Sequence, residues 1–173
     1  KEKILVVTKG KLSIKYNKKN LSLNSFDALN FFSDQNKYEI TCEEDSTAFL
    51  ISAKKLNVSN GDLKRFNFKN DIKSIDLWGG QCISRPYEGK DLNLVLFDLK
   101  PGFKFEDKGH HNEQVTWLVN GEMNFHADGR HKKLTTLDGV DIGPHHVHGG
   151  ISNGAIGFDA FFPKREEKKY KNT

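Results

Sequence analysis

The chain has 173 residues, a formal net charge of +4 and an isoelectric point near 8.9. Its lysines are spread over the whole length, and the one dense basic run, KREEKKYK at 164–171, is mixed in sign, so the composition argues against a nucleic-acid-binding patch. No apolar stretch reaches membrane-spanning length. We therefore expect a cytoplasmic protein without a nucleic-acid or membrane partner.

The N-terminal part of the chain repeats further along. Residues 5–31, set over residues 115–142 with an offset of 111, match at every second position, which is the periodicity of a β-strand. The matched pairs include Gly10 and Gly121, Leu12 and Met123, Ile14 and Phe125, Leu23 and Leu134, and Asp27 and Asp138. The pattern predicts two copies of one β unit, joined by hairpins at YNKKN and ADGRH.

The rest of the chain also favours strands. Short apolar runs such as TAFLIS, LNLVLFDL and AIGFDAFF are separated by Gly, Pro, Asn and Asp, and no segment shows a long stripe at helical spacing. We expect an all-β sandwich or barrel with a partial or degenerate copy at 1–56, a polar linker with a short strand at 57–76, and a complete unit with a charged tail at 77–173.

Two cysteines, Cys42 and Cys82, are too few and too far apart for a disulfide framework or a zinc ribbon, and we expect both to be buried thiols. Trp117 is expected in the core or a pocket wall. Trp78, which precedes a glycine pair, is expected to pack against the domain or to cover one end of a pocket.

All seven histidines lie between His110 and His148. Two segments hold the candidate metal ligands: HHNEQ, where Gln114 or Glu113 joins His110, and GPHHVH, where His148 enters a strand. A sheet is needed to bring these segments together. Histidines with a carboxylate or an amide suit Zn, Fe, Ni or Mn at a centre that stays open to substrate. His111, His145 and His146 are expected at the rim, and His126 and His131 in solvent.

The same segments carry a family resemblance. PG(x)7HHNEQVTWLVNGEM followed by LDGVDIGPHHVHGG resembles the two sequence motifs of the cupin superfamily. The resemblance implies a double-stranded β-helix, or jelly roll, with a divalent metal on His110, Gln114 and His148, and with Gly121 and Gly139 at strand turns. Lys108 stands where the first motif histidine is expected, which leaves a position for His111, Glu113, Asp107 or a water.

The segment FDAFFPKREE is similar to the C-terminal strand of the KdgF-type cupins, which act on unsaturated uronic acids. On that resemblance the catalytic residues are Asp159, Phe161 and Arg165. The residues themselves support a site, because Asp159 and Phe161 share one face of a strand. Arg165 follows Pro163, where the strand should end, and its planar guanidinium can bind a carboxylate through two hydrogen bonds.

Three functions remain open from the sequence. The first is a metal-dependent cupin that opens or isomerises a small acidic, sugar-derived substrate. The second is a binding or sensing module for a small anion, in which Lys108 serves as the charge partner. The third is an iron-dependent oxygenase with the same ligands. Exposed edge strands can pair between chains, and the cupins that this chain resembles commonly form dimers, so we expect a homodimer in each case.

Overall fold

The computed structural model describes residues 1–16, 19–32, 38–53 and 63–165. All regular secondary structure in these residues is β-strand, so the predicted all-β class is confirmed. The chain divides into two compact units, Lys1–Ile72 and Lys73–Thr173. In the described part of the chain, no helix is long and apolar enough to cross a membrane.

The N-terminal unit consists of two antiparallel sheets. Its described strands are β1 (Glu2–Lys9), β2 (Lys11–Tyr16), β3 (Lys19–Asn24), β4 (Asp27–Phe32), β5 (Tyr38–Cys42), β6 (Thr47–Ser52) and β7 (Lys64–Asn67). They form one sheet in the order β6-β1-β4-β7 and a second in the order β3-β2-β5. Within the expected linker, β7 pairs with β4, while residues 57–62 lie outside the described residues, as does part of the YNKKN hairpin.

The C-terminal unit is built on one extended sheet. Its described strands are β8 (Ile75–Leu77), β9 (Cys82–Glu88), β10 (Asn93–Leu99), β11 (Lys104–Asp107), β12 (Glu113–Ala127), β13 (Arg130–Thr135), β14 (Gly139–Ile142) and β15 (His148–Phe162). The order is β13-β12-β15-β10-β9-β8, with β11 added on β15 and β14 added on β12. The predicted Asp128–Gly129 turn between β12 and β13 is confirmed, with φ of 47° and 75°.

Two long strands bend together in this unit. The strands β12 and β15, each of 15 residues, pair antiparallel along their length, and the register shifts near Gly121. Gly121 has φ of 85° and Gly154 has φ of 96°, and a Cβ on Gly121 would overlap the carbonyl oxygen of Gly154. One half of β15 therefore pairs with β10, and the other half pairs with β11, in the two layers of a barrel.

Some expectations need correction. Gly121 lies inside β12 and not in a turn between strands, whereas Gly139 does follow a turn and begins β14. Cys42 is exposed and only Cys82 is buried, because strand β5 directs little of its surface into the core. Trp117 is buried, as expected.

Several local features recur 111 residues apart in the two units. The first feature is a glycine with positive φ after the first strand segment, and the second is a non-glycine residue with positive φ. The third is an aspartate that accepts a hydrogen bond from the backbone N–H three residues before it. In the same order, the pairs are Gly10 and Gly121, Phe26 and Leu137, and Asp27 and Asp138. The register shifts at Val7/Lys9 and Leu118/Asn120 have the same offset.

The bend predicts a large difference between two glycine substitutions. Gly121→Ala should lower the free energy of unfolding by more than about 3 kcal/mol, because it combines a positive φ with a steric overlap. The matched control, Gly129→Ala, has φ of 75° but nothing within 4 Å of the new methyl group, and should cost about 1 kcal/mol. Urea unfolding of both variants measures the difference, and equal losses would contradict a steric role for Gly121.

Candidate active site

The strand register brings the predicted site residues to one region. Asp107 ends β11 and lies opposite His148 at the start of β15. At the other end of β15, Phe161 lies opposite Gln114 and Asp159 lies opposite Thr116 of β12. Because β12 and β15 bend, the two ends of β15 face the same interior, and His148, Gln114, Asp159 and Phe161 all line one cavity.

The loop between β11 and β12 carries His110. Residues 108–112 form no strand, so Lys108, His110 and His111 do not alternate between the two faces of a strand. Gly109 takes φ of 94°, and its N–H donates to Asp107 Oδ1 at 2.9 Å. The N–H of His145 donates to the carbonyl of His110 at 2.6 Å, which ties this loop to the loop before β15. Lys108 is exposed.

Three side chains form a candidate metal centre. Asp107, His110 and His148 each offer one ligand atom, and these atoms all lie within 4.8 Å of one another. Of the options that the sequence left open, His111, Glu113, Asp107 and a water, Asp107 is the residue that lies with His110 and His148 in this cluster. The amide oxygen of Gln114 lies 3.0 Å from His110 Nε2. Two ligands that bind one ion at about 2.1 Å and at a right angle are separated by about 3 Å, so the predicted ligand Gln114 is also compatible with the centre.

The ring of His148 is oriented for cation binding, and the ring of His110 has one unsatisfied nitrogen. His148 Nδ1 donates to the carbonyl of His146 at 2.9 Å, which leaves the lone pair on Nε2. His110 Nδ1 is buried and has no hydrogen-bond partner. A cation that shares Nε2 with Gln114 would not reach Nδ1, which lies on the other edge of the ring, so this unpaired nitrogen does not itself indicate the metal. Two imidazoles, a carboxylate and an amide oxygen are donors that fit Zn, Fe, Ni or Mn.

Burial also affects the ionisation of His110 and Asp107. Burial lowers the pKa of His110, and the hydrogen bond that its Nε2 donates to the amide oxygen of Gln114 acts in the opposite direction. Burial alone would raise the pKa of Asp107. Hydrogen bonds from Arg165 and from the Gly109 N–H, together with the charge of Arg165, outweigh burial and hold that pKa below its usual range. Both groups are thus held in the forms that bind metal, a neutral imidazole and a carboxylate.

Asp159 is the second acid of the site, and its environment differs from that of Asp107. Burial raises the pKa of Asp159, although Thr116 and Gln114 both donate to its Oδ1, at 2.5 Å and 3.1 Å. Gln114 therefore directs its oxygen to His110 and its nitrogen to Asp159. This amide connects the candidate metal centre to the acid. No pattern in the sequence indicated the supporting role of Thr116.

Arg165 lies just beyond β15 and is fixed by its backbone. Its N–H donates to Asn93 Oδ1 at 3.0 Å, and Asn93 Nδ2 donates to its carbonyl at 3.2 Å. The guanidinium donates to Asp107 Oδ2 at 2.6 Å and lies 5.2 Å from the centre of the Phe161 ring. Arg165 is thus part of the site and not of the solvated tail. The strand end predicted at Pro163 is confirmed, since β15 ends at Phe162.

These groups open into a cavity of about 330 Å³. This is room for a small organic molecule. The other histidines take no part in its walls. His111, His145 and His146 are exposed, as expected at the rim, and His146 pairs with Asp128. His131 is exposed, whereas His126 is partly buried and lies 3.0 Å from Glu106 Oε2.

Comparison with known proteins supports one fold family. No protein-family model and no curated protein match the chain. A solved RmlC-like cupin from Shewanella frigidimarina is 30% identical over 58% of this chain and 92% of its own, with a TM-score of 0.54. KdgF from Halomonas sp. is 18% identical over 58% of this chain and 93% of its own, with a TM-score of 0.51. Protein Ylba from E. coli is 16% identical over 96% of this chain and 69% of its own, with a TM-score of 0.74.

At 30% identity, the similarity to the Shewanella protein extends over nearly all of that cupin. The bent strand pair and the barrel around the site agree with it. The chain therefore belongs to the cupin superfamily.

Proposed function

We propose that the C-terminal unit is a divalent-metal cupin enzyme that binds a small carboxylate and transfers a proton on it. One observation carries the proposal: two members of the Asp107–His110–His148 cluster, Asp107 and His148, line the same cavity as Asp159 and Arg165. Such chemistry needs metal ligands, an acid with a raised pKa, and a positively charged side chain that binds the substrate.

His110, His148, Asp107 and Gln114 are the residues that would hold the metal. Such an ion, when bound, polarises a carbonyl or hydroxyl oxygen and stabilises negative charge that develops there. The protein supplies the orientation, because three of these four residues are held by a further hydrogen bond. His146 fixes the ring of His148, Gly109 fixes one oxygen of Asp107, and Asp159 fixes the amide of Gln114.

Asp159 is the residue proposed to move the proton. Its raised pKa keeps a larger share of the carboxyl protonated at a given pH, as a general acid requires. Thr116 and Gln114 both bind Oδ1, so Oδ2 is the oxygen available to exchange a proton with a substrate. Phe161, on the same face of β15, limits the water that reaches this oxygen.

Arg165 is proposed to bind the substrate carboxylate. One of its nitrogens, Nη2, already donates to Asp107. A guanidinium has five N–H donors in a fixed plane, so it can hold Asp107 and a substrate carboxylate together. Stacking against Phe161 fixes the direction of that plane.

The resemblance of 158–167 to the KdgF-type cupins makes unsaturated uronates the first substrates to assay, for ring opening or enol–keto isomerisation. The anion-sensing alternative needs Lys108 as charge partner, and this exposed residue is not among those that line the cavity. An iron-dependent oxygenase would use the same ligands, and oxygen consumption by the iron-loaded protein separates that function from isomerisation.

We further propose that the N-terminal unit is a second, reduced copy of the cupin unit with a structural role. The features that recur at an offset of 111 residues support a shared origin. This unit contains no histidine, and the void among its described core residues is only about 10 Å³, too small for a ligand. A homodimer remains part of the proposal and is tested by light scattering.

The first prediction concerns the metal. His148→Ala should lower the affinity for Zn, Ni, Fe or Mn at least 100-fold, because it removes one ligand from a buried centre. His131→Ala, an exposed histidine of β13, is the matched control and should leave metal binding unchanged. Elemental analysis after purification without chelator measures both. Full metal content in the His148 variant, or none in the wild type after reloading, would contradict the proposed centre.

The second prediction concerns Asp159. Burial raises the pKa of Asp159 in the folded protein above its value in the unfolded chain, near 3.9. The folded protein therefore loses stability as the pH rises from the unfolded pKa through the folded pKa. Asp159→Asn removes this loss while keeping an Oδ1 acceptor for Thr116. The variant should unfold at a higher temperature than the wild type near pH 7, with the difference vanishing at pH 3.

The same variant should lower turnover by about 100-fold or more, because the proton donor is gone. Thr116→Val is the companion variant. It removes a hydrogen bond to Asp159 but keeps the carboxyl, so it should retain most of the metal and part of the activity. Full activity in Asp159→Asn would exclude this residue as the acid.

A further inference from the structure

The cavity has two halves of different chemistry. The charged and polar groups described above form one half. The other half is lined by hydrocarbon and aromatic side chains, which are Leu77, Trp78, Phe97, Leu99, Phe103, Phe105, Met123 and Phe125. Among the described residues that line it, Ser84 has a polar side chain within this wall, and the exposed Lys104 and Glu106 border it.

The strand register separates the two halves. Along β15, Asp159 lies beside Val95, Gly157 beside Phe97, and Ala155 beside Leu99. At about 3.4 Å per residue, Ala155 is about 13 Å from Asp159. The cavity therefore extends from Asp159 toward the bend of the barrel by more than the length of a six-membered ring.

Trp78 closes the apolar half. Its side chain is 60% exposed, and its ring lies 5.3 Å from that of Phe103, which in turn stacks on Phe105 at 6.3 Å. Trp78 also takes φ of 59°, in a turn with Gly79 and Gly80. A positive φ costs about 1 kcal/mol or more for a bulky residue, and an indole held on the surface gains little from burial. Contact between the indole and a bound ligand would offset both costs.

A hydroxyl-rich ligand does not suit this wall. A sugar hydroxyl that lies against its hydrocarbon and aromatic side chains would lose water without gaining a hydrogen bond, and Ser84, Lys104 and Glu106 could serve only a few such groups. A flat hydrocarbon ring loses nothing polar and gains contact with aromatic faces.

We infer that the ligand is an amphipathic carboxylate, with its carboxylate at Arg165 and a flat apolar ring against Trp78 and Phe103. The inference rests on the proposed function for the carboxylate end, and it replaces the uronates suggested by the sequence with a ring-bearing carboxylic acid of lower hydroxyl content.

The test compares three probes by calorimetry on the full chain: acetate, phenylacetate and galacturonate. Phenylacetate should bind about 10- to 100-fold more tightly than acetate, as expected for burial of a phenyl ring, and more tightly than galacturonate. Phenylacetate should also protect Trp78 from iodide quenching, whereas the buried Trp117, the second of two tryptophans, is shielded throughout.

Two variants test whether the tighter binding of phenylacetate comes from the apolar half of the cavity. Trp78→Ala should weaken phenylacetate by about 3- to 10-fold and leave acetate unchanged, since only the ring contacts the indole. Val115→Ala, an exposed apolar residue of β12, is the matched control and should change neither. Circular dichroism confirms the fold of each variant.

The outcomes separate the two proposals. If acetate binding depends on Arg165, as tested with Arg165→Lys, but phenylacetate gains nothing, the apolar subsite is overturned and the proposed function stands. Tighter binding of galacturonate than of phenylacetate also overturns the inference, in favour of a uronate. If no carboxylate binds, and Arg165→Lys has no effect, the proposed function fails and the inference with it.

Discussion

The shared bend of β12 and β15 is the constraint on which the site depends. Without it, His148 and Asp159 would stand eleven residues apart on one straight strand, far beyond the reach of a common ligand. The bend is possible because Gly121 and Gly154 take positive φ, and because Gly121 has no Cβ to meet the carbonyl of Gly154. Two glycines thus convert a sheet into a barrel and bring both ends of β15 to the same cavity.

Within that cavity, Gln114 links two functions that the sequence treats separately. Its oxygen faces the imidazole of His110 and its nitrogen faces the carboxyl of Asp159. A rotation of the amide by half a turn would break both contacts at once. The candidate metal centre and the acid therefore share one orienting group, and a change at either side alters the hydrogen bonding of the other.

The sequence predicted the strands and most of the site because those depend on local patterns. Alternation placed Asp159 and Phe161 on one face, and Pro163 marked the end of β15. The sequence left the conformation of 108–111 open, and the positive φ of Gly109 turns this segment. Asp107 remained one of several options, since its role depends on lying opposite His148, a pairing between distant strands that spacing alone does not reveal. Thr116 and Asn93 were missed for the same reason.

The charges of the site balance only when it is complete. The carboxylate of Asp107 and the guanidinium of Arg165 neutralise each other, and burial favours the neutral form of Asp159. A divalent cation would add two positive charges to this arrangement, which a substrate carboxylate and an ionised Asp159 would offset. The acid is therefore poised to lose its proton when the other charges are in place. The pairing of Asp107 with Arg165 contributes directly to that balance.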